Sequence, residues 1–225
     1  IPPVMLLFGD EYLYKNVFRD LLDRILPEFE RGLGYEQVDP DGSVFDALEI
    51  LNTYSFLGGR KVVCLKDSRI FVSKKNEDVL LEKTEQAVQK NELKKASGFI
   101  LNLLSLNHMG LDDLAEESRK SGKLKLDDSK DYSWLDKITA YCLENGLSVP
   151  EKKDDITVLA GAVEKGFPAG NYLIITTELV DKRKALFKLI KEIGVVVDCS
   201  VPKGERAADK KIQENVLLGH MNEIL

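Results

Sequence analysis

Short, continuous apolar runs separated by helical patterns constrain the fold of this chain more than any other feature. Three of the runs are uninterrupted aliphatic stretches, which is typical of strands covered on both faces. Because helical patterns separate most of the runs, the sequence predicts a three-layer α/β fold around a mainly parallel five-stranded sheet. The predicted strands are VMLLFG at 4–9, GYEQVD at 34–39, RKVVCLK at 60–66, NYLIITT at 171–177 and GVVVDCS at 194–200.

Apolar stripes with helical spacing follow the first and second predicted strands and precede the last. Pro27 ends the first stripe, and Gly194 follows the third, as expected at helix ends. The stripes consist of Leu13, Val17, Leu21 and Ile25; of Val44, Leu48 and Leu51; and of Ala185, Leu186, Leu189 and Ile190.

GDEYLYKN, directly after the first predicted strand, has the outline of a phosphate-binding loop. In the motif G-x-x-x-x-G-K-[ST], Gly9 and Lys15 keep the spacing, but Tyr14 replaces the second glycine and Asn16 replaces the hydroxyl residue. The glycines of a working loop let backbone N–H groups surround the phosphates, and the hydroxyl binds magnesium. We therefore interpret these four residues as a degenerate phosphate loop and expect Tyr14 to pack into the core.

Two further features argue against a nucleotide site. Asp10 and Glu11 place carboxylates at the start of the first predicted helix, where they suit the helix dipole and would repel a triphosphate. The third predicted strand ends in Lys66, Asp67 and Ser68, whereas the corresponding magnesium-binding strand of an ATPase ends in a paired acidic dyad.

The hundred or so residues before NYLIITT are too many for a simple α/β connection. They include a charged helical pattern at about 77–97, the apolar stretch FILNLLSL at 99–106, and helical patterns at about 133–144 and 153–165. We predict a helical insertion at about 74–150 in an α/β domain that spans 1–204. The charged linker and amphipathic helix at 205–225 predict the first helix of a truncated second domain.

TYSFLGGRKVV at 53–63 joins the second predicted helix to the third strand. Phe56 and Leu57 precede Gly58 and Gly59, so two large apolar side chains lie at a turn with a flexible backbone. One interpretation is that both pack beneath the edge of the sheet. The other is that they are anchors presented to a pocket on a partner.

Charge and cysteine content limit the classes of function. The net charge is −6, whereas proteins that bind duplex DNA through their own surface usually carry a basic excess. Cys64, Cys142 and Cys199 lack paired spacing, which predicts neither a metal site nor a disulfide framework. No apolar run approaches the roughly 20 residues of a membrane span. We expect a cytoplasmic protein that needs no cofactor.

Three segments of the chain resemble the delta subunit of the bacterial DNA polymerase III clamp loader. They are LLFGDEYLYKN, ALEILNTYSFLGGRKVVCLKD and LIITTELVDKRKALFKLIKEIGVVVDCSVPKGERAADKK, and they cover the predicted α/β core but not the insertion. The resemblance implies an AAA+-like, P-loop NTPase-type domain that binds no ATP and is not an enzyme on its own. It also implies that 205–225 begin a lid-type domain, and that the collar domain that assembles the loader lies outside this chain.

The resemblance also implies partners and a binding site. Delta binds the sliding clamp (beta subunit), holds one of its interfaces open, and acts with the ATPase subunits gamma or tau and with delta-prime. Primed DNA is reached through the assembled complex. The family's clamp contact is an apolar pair at the end of the second helix, which falls here on Phe56 and Leu57, with Tyr54 and Ser55 before them.

Three alternatives remain open at this point. The chain could be an active P-loop ATPase with a divergent loop, or an α/β scaffold that binds protein through 99–106. Direct DNA binding through the Lys-rich stretches at 90–95 and 118–125 is the third, although nearby Asp and Glu offset their charge.

Overall fold

The computed structural model describes residues 1–39, 44–53, 59–119, 124, 126–127, 130–150, 155–202, 204 and 206–224. The chain divides into two compact units. One contains Ile1–Val72 and Asp154–Leu225, and the other contains Ser73–Lys153. The sheet belongs to the first unit.

The strands are β1 (Val4–Gly9), β2 (Tyr35–Val38), β3 (Lys61–Leu65), β4 (Asn171–Thr177) and β5 (Val195–Cys199). All five predicted strands are confirmed, with ends within about one residue of the predicted bounds. The helices in the described residues are α1 (Glu11–Ile25), α2 (Arg31–Gly34), α3 (Val44–Asn52), α4 (Glu77–Gln89), α5 (Leu93–Asn107), α6 (Glu116–Arg119), α7 (Trp134–Glu144), α8 (Asp155–Lys165), α9 (Ala185–Ile193) and α10 (Ala207–Ile224). Short 3₁₀ turns lie at Glu28–Glu30, Lys74–Asn76 and Leu111–Leu114.

The strands form one sheet in the order β2-β3-β4-β1-β5, and every neighbouring pair is parallel. The first strand along the chain therefore lies between the fourth and the fifth. Because all strands run the same way, their carboxyl ends meet at one edge of the sheet and their amino ends at the other. These are called the carboxyl edge and the amino edge below.

Alternation along β1 shows how the layers form. Val4, Leu6 and Phe8 pack on one face of the sheet, and Met5 and Leu7 pack on the other. The first face is covered by α3, α8 and α9, and the second by α1. Burying an aliphatic side chain of this size contributes about 1.5–3 kcal/mol, so β1 is a main source of stability in this unit. The predicted three-layer α/β fold is confirmed.

The stripe predicted for α9 is partly wrong. Leu186 and Ile190 are buried, but Ala185 is exposed and Phe187 takes its place in the core. The Phe187 ring meets Phe8 edge to face, with centroids 6.1 Å apart. The sequence pattern missed Phe187 because Leu189, which is only partly buried, fits the same spacing.

The second unit is helical, and it corrects the prediction of one charged helix at 77–97. The chain instead turns between α4 and α5, where Asn91 adopts φ +59°. The N–H of Glu92 then donates to the carbonyl of Ala87 at 2.8 Å. A left-handed residue of this kind commonly ends a helix, and asparagine tolerates it better than most side chains.

The apolar stretch at 99–106 lies in α5. Ile100, Leu101, Leu103 and Leu104 are buried in this unit, whereas Phe99 and Leu106 are half-buried. Most apolar side chains of the stretch therefore pack inside the unit, which disfavours the alternative of a scaffold that binds protein through it.

Candidate functional site at the edges of the sheet

The turn from β1 into α1 brings Gly9 against the end of β5. Gly9 has φ +120°, a conformation that L side chains rarely adopt, and a Cβ there would lie 2.5 Å from the carbonyl carbon of Cys199. The N–H of Asp10 donates to the Cys199 carbonyl at 3.0 Å. Asp10 also caps α1, since its carboxylate accepts from the N–H of Leu13 at 3.2 Å. Gly9 therefore permits close packing of two neighbouring strand ends.

Tyr14 stands where the motif has its second glycine, and its ring is buried, with 2% of its surface exposed. Its hydroxyl donates to Oδ1 of Asp67 at 2.7 Å. Asp67 follows β3 with φ +48°, and its N–H donates to Oγ1 of Thr176 at 3.0 Å. Thr176 belongs to β4, which lies between β1 and β3. The Tyr14 side chain thus reaches from the start of α1 across β4 to the end of β3.

This arrangement determines the chemistry of the carboxyl edge. Burial raises the pKa of the Tyr14 phenol well above its ordinary value, and the Asp67 carboxylate raises it further. The phenol therefore stays protonated and donates. In a working phosphate loop, the space between the loop and the end of the third strand holds the phosphates and magnesium. A nucleotide here would have to break the hydrogen bond between Tyr14 and Asp67 and displace a buried ring.

The other two residues of the degenerate phosphate loop interact within α1. Nζ of Lys15 lies 2.8 Å from Oε1 of Glu11, one turn earlier on the helix. Oδ1 of Asn16 accepts a hydrogen bond from Arg19, one turn later. Exposed pairs of this type contribute little to stability. A phosphate-loop lysine at this position would reach a phosphate. Lys15 instead pairs with a carboxylate of its own helix.

Lys182 forms a second contact at the carboxyl edge that sequence reasoning missed. Its Nζ lies 2.8 Å from Oδ2 of Asp198 and 5.1 Å from the centre of the Phe8 ring. Burial opposes ionisation of Asp198, but hydrogen bonds from Lys182 and Ser200 outweigh it and lower the pKa of the carboxyl group. The sequence shows a basic residue after β4 and an acidic residue at the end of β5, but it does not show that the two meet. The strand order brings them together.

In the part of the chain that the structure describes, no cluster of three or more His, Cys, Asp or Glu side chains could hold a metal ion. Cys64, Cys142 and Cys199 are buried free thiols, and burial raises the pKa of Cys64 to about 12. Across the same described ranges, no helix combines the length and the apolar character needed to cross a membrane.

The predicted clamp-binding residues belong to the connection at the amino edge. Tyr54, Ser55, Phe56 and Leu57 lie outside the described residues. Thr53, after α3, and Gly59, before β3, are the described residues on either side of them.

The carboxyl terminus of α3 is held by two side chains from the sheet. Nδ2 of Asn171, at the start of β4, donates to the carbonyls of Leu51 at 2.6 Å and Thr53 at 3.2 Å. Nζ of Lys61, at the start of β3, donates to the carbonyls of Ile50 at 3.1 Å and Thr53 at 3.2 Å. The last carbonyls of a helix have no N–H partner further along it, and the two side chains supply donors to Leu51 and Thr53. The carbonyl of Ile50 also accepts from the N–H of Thr53 at 3.3 Å and from its Oγ1 at 2.7 Å.

The other side of the connection is held by Arg60. Its Nη1 donates to the carbonyl of Ile25 at 3.0 Å, which places a cation at the carboxyl terminus of α1. The backbone of Arg60 also lies close to Gly34, where a Cβ would come within 2.7 Å of the Arg60 carbonyl oxygen. Arg60 therefore has a structural role at the amino edge.

Sequence reasoning also missed an exposed apolar pair in the segment between α1 and β2. Phe29 is 86% exposed and Leu33 is 83% exposed, although their spacing of one helical turn is typical of a buried stripe. Arg31, between them, donates to the carbonyl of Leu26 at 3.2 Å and pairs with Asp23. The segment is thus tied to the end of α1 while both apolar side chains remain exposed.

Comparisons with known proteins identify the fold. No protein-family profile matches the sequence, and no curated protein matches it. Among solved structures, the chain is similar to the DNA clamp loader delta protein of Bacillus subtilis, with a TM-score of 0.51 and 12% sequence identity. The match covers 90% of this chain and 39% of that protein, so the chain spans well under half of its length. At this identity the comparison shows a clamp-loader-like fold.

Proposed function

We propose that the chain is the clamp-binding part of a delta subunit of the bacterial DNA polymerase III clamp loader. It binds the sliding clamp (beta subunit) and opens the ring for loading onto primed DNA during replication. It binds no ATP and is not an enzyme on its own. It acts in the cytoplasm with the gamma or tau ATPase and delta-prime subunits, and residues 205–225 begin its lid-type second domain.

The observation that carries this proposal is the Tyr14–Asp67 hydrogen bond in a fold of phosphate-loop type. Phosphate-loop proteins bind nucleotides at a turn between the first strand of a parallel sheet and the helix that follows it. Here the buried Tyr14 side chain reaches from that turn across the strand ends, where the phosphates would lie. This combination favours a subunit that keeps the ATPase fold and leaves hydrolysis to its neighbours over an active ATPase with a divergent loop.

Two further observations support the partner. The fold is similar to that of a clamp loader delta protein from Bacillus subtilis over most of this chain. The sequence TYSFLGGRKVV places an apolar pair before β3, where the resemblance to the delta family implies the clamp contact. Both observations extend beyond the phosphate loop, so they add support that Tyr14 alone does not give.

The proposed mechanism is mechanical. Phe56 and Leu57 insert into an apolar groove of the clamp, with Tyr54 and Ser55 beside them. A ligand shifts an equilibrium only by its differential affinity for the two states, so this contact must be stronger in the open ring than in the closed ring. ATP binding and hydrolysis in the partner subunits determine when the contact is available.

The test is a calorimetric titration of the 225-residue chain with a purified bacterial sliding clamp. Phe56→Ala combined with Leu57→Ala should weaken binding roughly a thousandfold, since each hot-spot anchor contributes about 2 kcal/mol or more. Unchanged affinity in a folded double variant would contradict the assignment of the site.

The chain offers a matched control. Phe29→Ala with Leu33→Ala removes the same two residue types from the same edge of the sheet, and both side chains are already exposed. This control should bind the clamp within about threefold of the wild type. An equal loss of binding in both double variants would show that the contact is not specific to Phe56 and Leu57.

A second titration, with ATP and magnesium, tests the other half of the proposal. No saturable binding is expected, because a nucleotide would have to displace the buried ring of Tyr14. Saturable binding that Lys15→Ala abolishes would instead support an active P-loop ATPase.

A further inference from the structure

The carboxyl-terminal end of α3 is held to the sheet by two side chains, one from β3 and one from β4. Together they donate hydrogen bonds to three backbone carbonyls at the end of the helix. Those carbonyls belong to Ile50, Leu51 and Thr53, and the donors are Lys61 and Asn171. Lys61 also donates to Oγ1 of Thr53 at 2.5 Å. Thr53, the last described residue before Phe56 and Leu57, therefore accepts hydrogen bonds from both donors.

Asn171 is the more constrained of the two donors. Its side chain is buried, with 3% of the residue exposed, and its backbone N–H donates to the carbonyl of Pro168 at 3.0 Å. The neighbouring N–H of Lys61 donates to the carbonyl of Gly170 at 2.9 Å. Both donors thus start from adjacent, paired strands, and β3 and β4 position them as one unit.

We propose that Lys61 and Asn171 are positioning residues for clamp binding, because they hold the end of α3 at Thr53, the last described residue before the predicted clamp contact. This inference rests on the proposed function of Phe56 and Leu57. Arg60 fixes the other side of the connection through its hydrogen bond to the carbonyl of Ile25.

The physical basis is the entropy of ordering a loop. A segment whose ends are already fixed loses less conformational freedom on binding than one whose ends move, so less of its contact energy is spent on ordering. Lys61 adds an electrostatic contribution, because a cation is favoured at the negative end of a helix dipole. Removing the donors should weaken clamp binding even though neither residue need touch the clamp.

Lys61→Met is the primary test, since it removes the charge and the donors but keeps the length of the side chain. Its affinity for a purified sliding clamp should fall about tenfold, the effect expected from losing one set of charge-assisted hydrogen bonds. Lys61→Arg restores cationic donors and should bind within about threefold of the wild type. Lys66→Met, the same substitution at the other end of β3, is the matched control and should leave affinity unchanged.

A double-mutant cycle separates positioning from a merely structural role. In the background of Phe56→Ala with Leu57→Ala, Lys61→Met should cause no additional loss of affinity, because nothing remains for it to position. An additional tenfold loss in that background would overturn the inference, as would wild-type affinity in a folded Lys61→Met variant. Asn171→Ala gives the same cycle from the second donor, with folding checked by circular dichroism.

The outcomes also separate this inference from the function on which it rests. If the Phe56 and Leu57 variant binds the clamp like the wild type, the proposed function fails and the inference fails with it. If that variant loses binding while Lys61→Met and Lys66→Met both retain it, only the positioning role is overturned.

Discussion

The two edges of the sheet use polar side chains in opposite ways. At the carboxyl edge, Tyr14 and Asp67 bond to each other across the strand ends, at the place where this type of fold normally holds a ligand. At the amino edge, Lys61 and Asn171 bond to backbone carbonyls and hold the end of a connection. At the carboxyl edge the polar groups satisfy each other, and at the amino edge they hold the end of the helix that precedes the predicted clamp contact.

Under the proposed function, this difference explains how a phosphate-loop fold serves as a binding module. When a large side chain fills the carboxyl edge, the edge contributes packing energy instead of ligand binding, and the amino edge remains available for a partner. We expect the largest loss of stability from a substitution at the carboxyl edge, and effects on clamp binding only from substitutions at the amino edge.

The largest expected effect is that of Tyr14→Ala. Removing a fully buried aromatic ring typically lowers the free energy of unfolding by about 3–5 kcal/mol. Urea unfolding followed by circular dichroism measures it, with Tyr12→Ala, two residues earlier and partly exposed, as the matched control. Equal losses in the two variants would show that the carboxyl edge is not packed by Tyr14.

Asn171→Ala should have the next largest effect on stability. It leaves the buried carbonyl of Leu51 without its donor at 2.6 Å, and an unsatisfied buried group of this kind costs about 1–3 kcal/mol. Chemical denaturation measures the loss. Asn16→Ala removes the same side chain from a half-buried position of α1, where its contact is an exposed hydrogen bond to Arg19, and should change stability by less than about 0.5 kcal/mol. If both variants were equally stable, the hold on α3 would contribute nothing to the fold.

Tyr14→Phe removes only the hydroxyl and changes the response to alkaline pH. The folded pKa of Tyr14 is raised above its ordinary value of 10.0, so the stabilisation is fully present below pH 10.0 and is lost as the pH rises above it. The variant should lose about 1–2 kcal/mol at neutral pH. Its stability should also fall less steeply than that of the wild type between about pH 9 and pH 11.

Urea unfolding across that pH range tests the prediction. Some alkaline loss should remain in Tyr14→Phe, because burial also raises the pKa of Tyr35, which the variant retains. Identical pH profiles for the wild type and the variant would mean that the proton of Tyr14 is not held by the folded state.

The frame of the fold could be predicted from the sequence, whereas the contacts at its edges could not. Continuous apolar runs predict the strands, because such runs need cover on both faces. The large ring of Tyr14, in place of a glycine, predicts that this residue packs into the core. Its partner, Asp67, is 53 residues away, and the two meet only because β4 alone separates β1 from β3. Local periodicity contains no information about that order.

The amino edge shows the same limit more strongly. The Thr53 carbonyl accepts from Lys61, which is 8 residues away, and from Asn171, which is 118 residues away and meets it only through the strand order. Phe29 and Leu33 have the spacing of a core stripe and yet are exposed, because spacing predicts which residues share a face and not whether that face is covered.

Lys182→Met should have the smallest effect on stability. It tests whether the Lys182–Asp198 pair stabilises the carboxyl edge as the Tyr14–Asp67 pair does. The folded pKa of Asp198 lies below its ordinary value of 3.8, so its stabilisation is present above that pH and is lost as the pH falls through the lower folded value. Removing the cation should raise this pKa, reduce stability at neutral pH by less than about 1 kcal/mol, and flatten the acid loss below about pH 4. Lys188→Met, on the exposed part of α9, is the control and should leave the acid profile unchanged. A steeper acid loss in Lys182→Met than in the wild type would contradict the assigned pairing with Asp198.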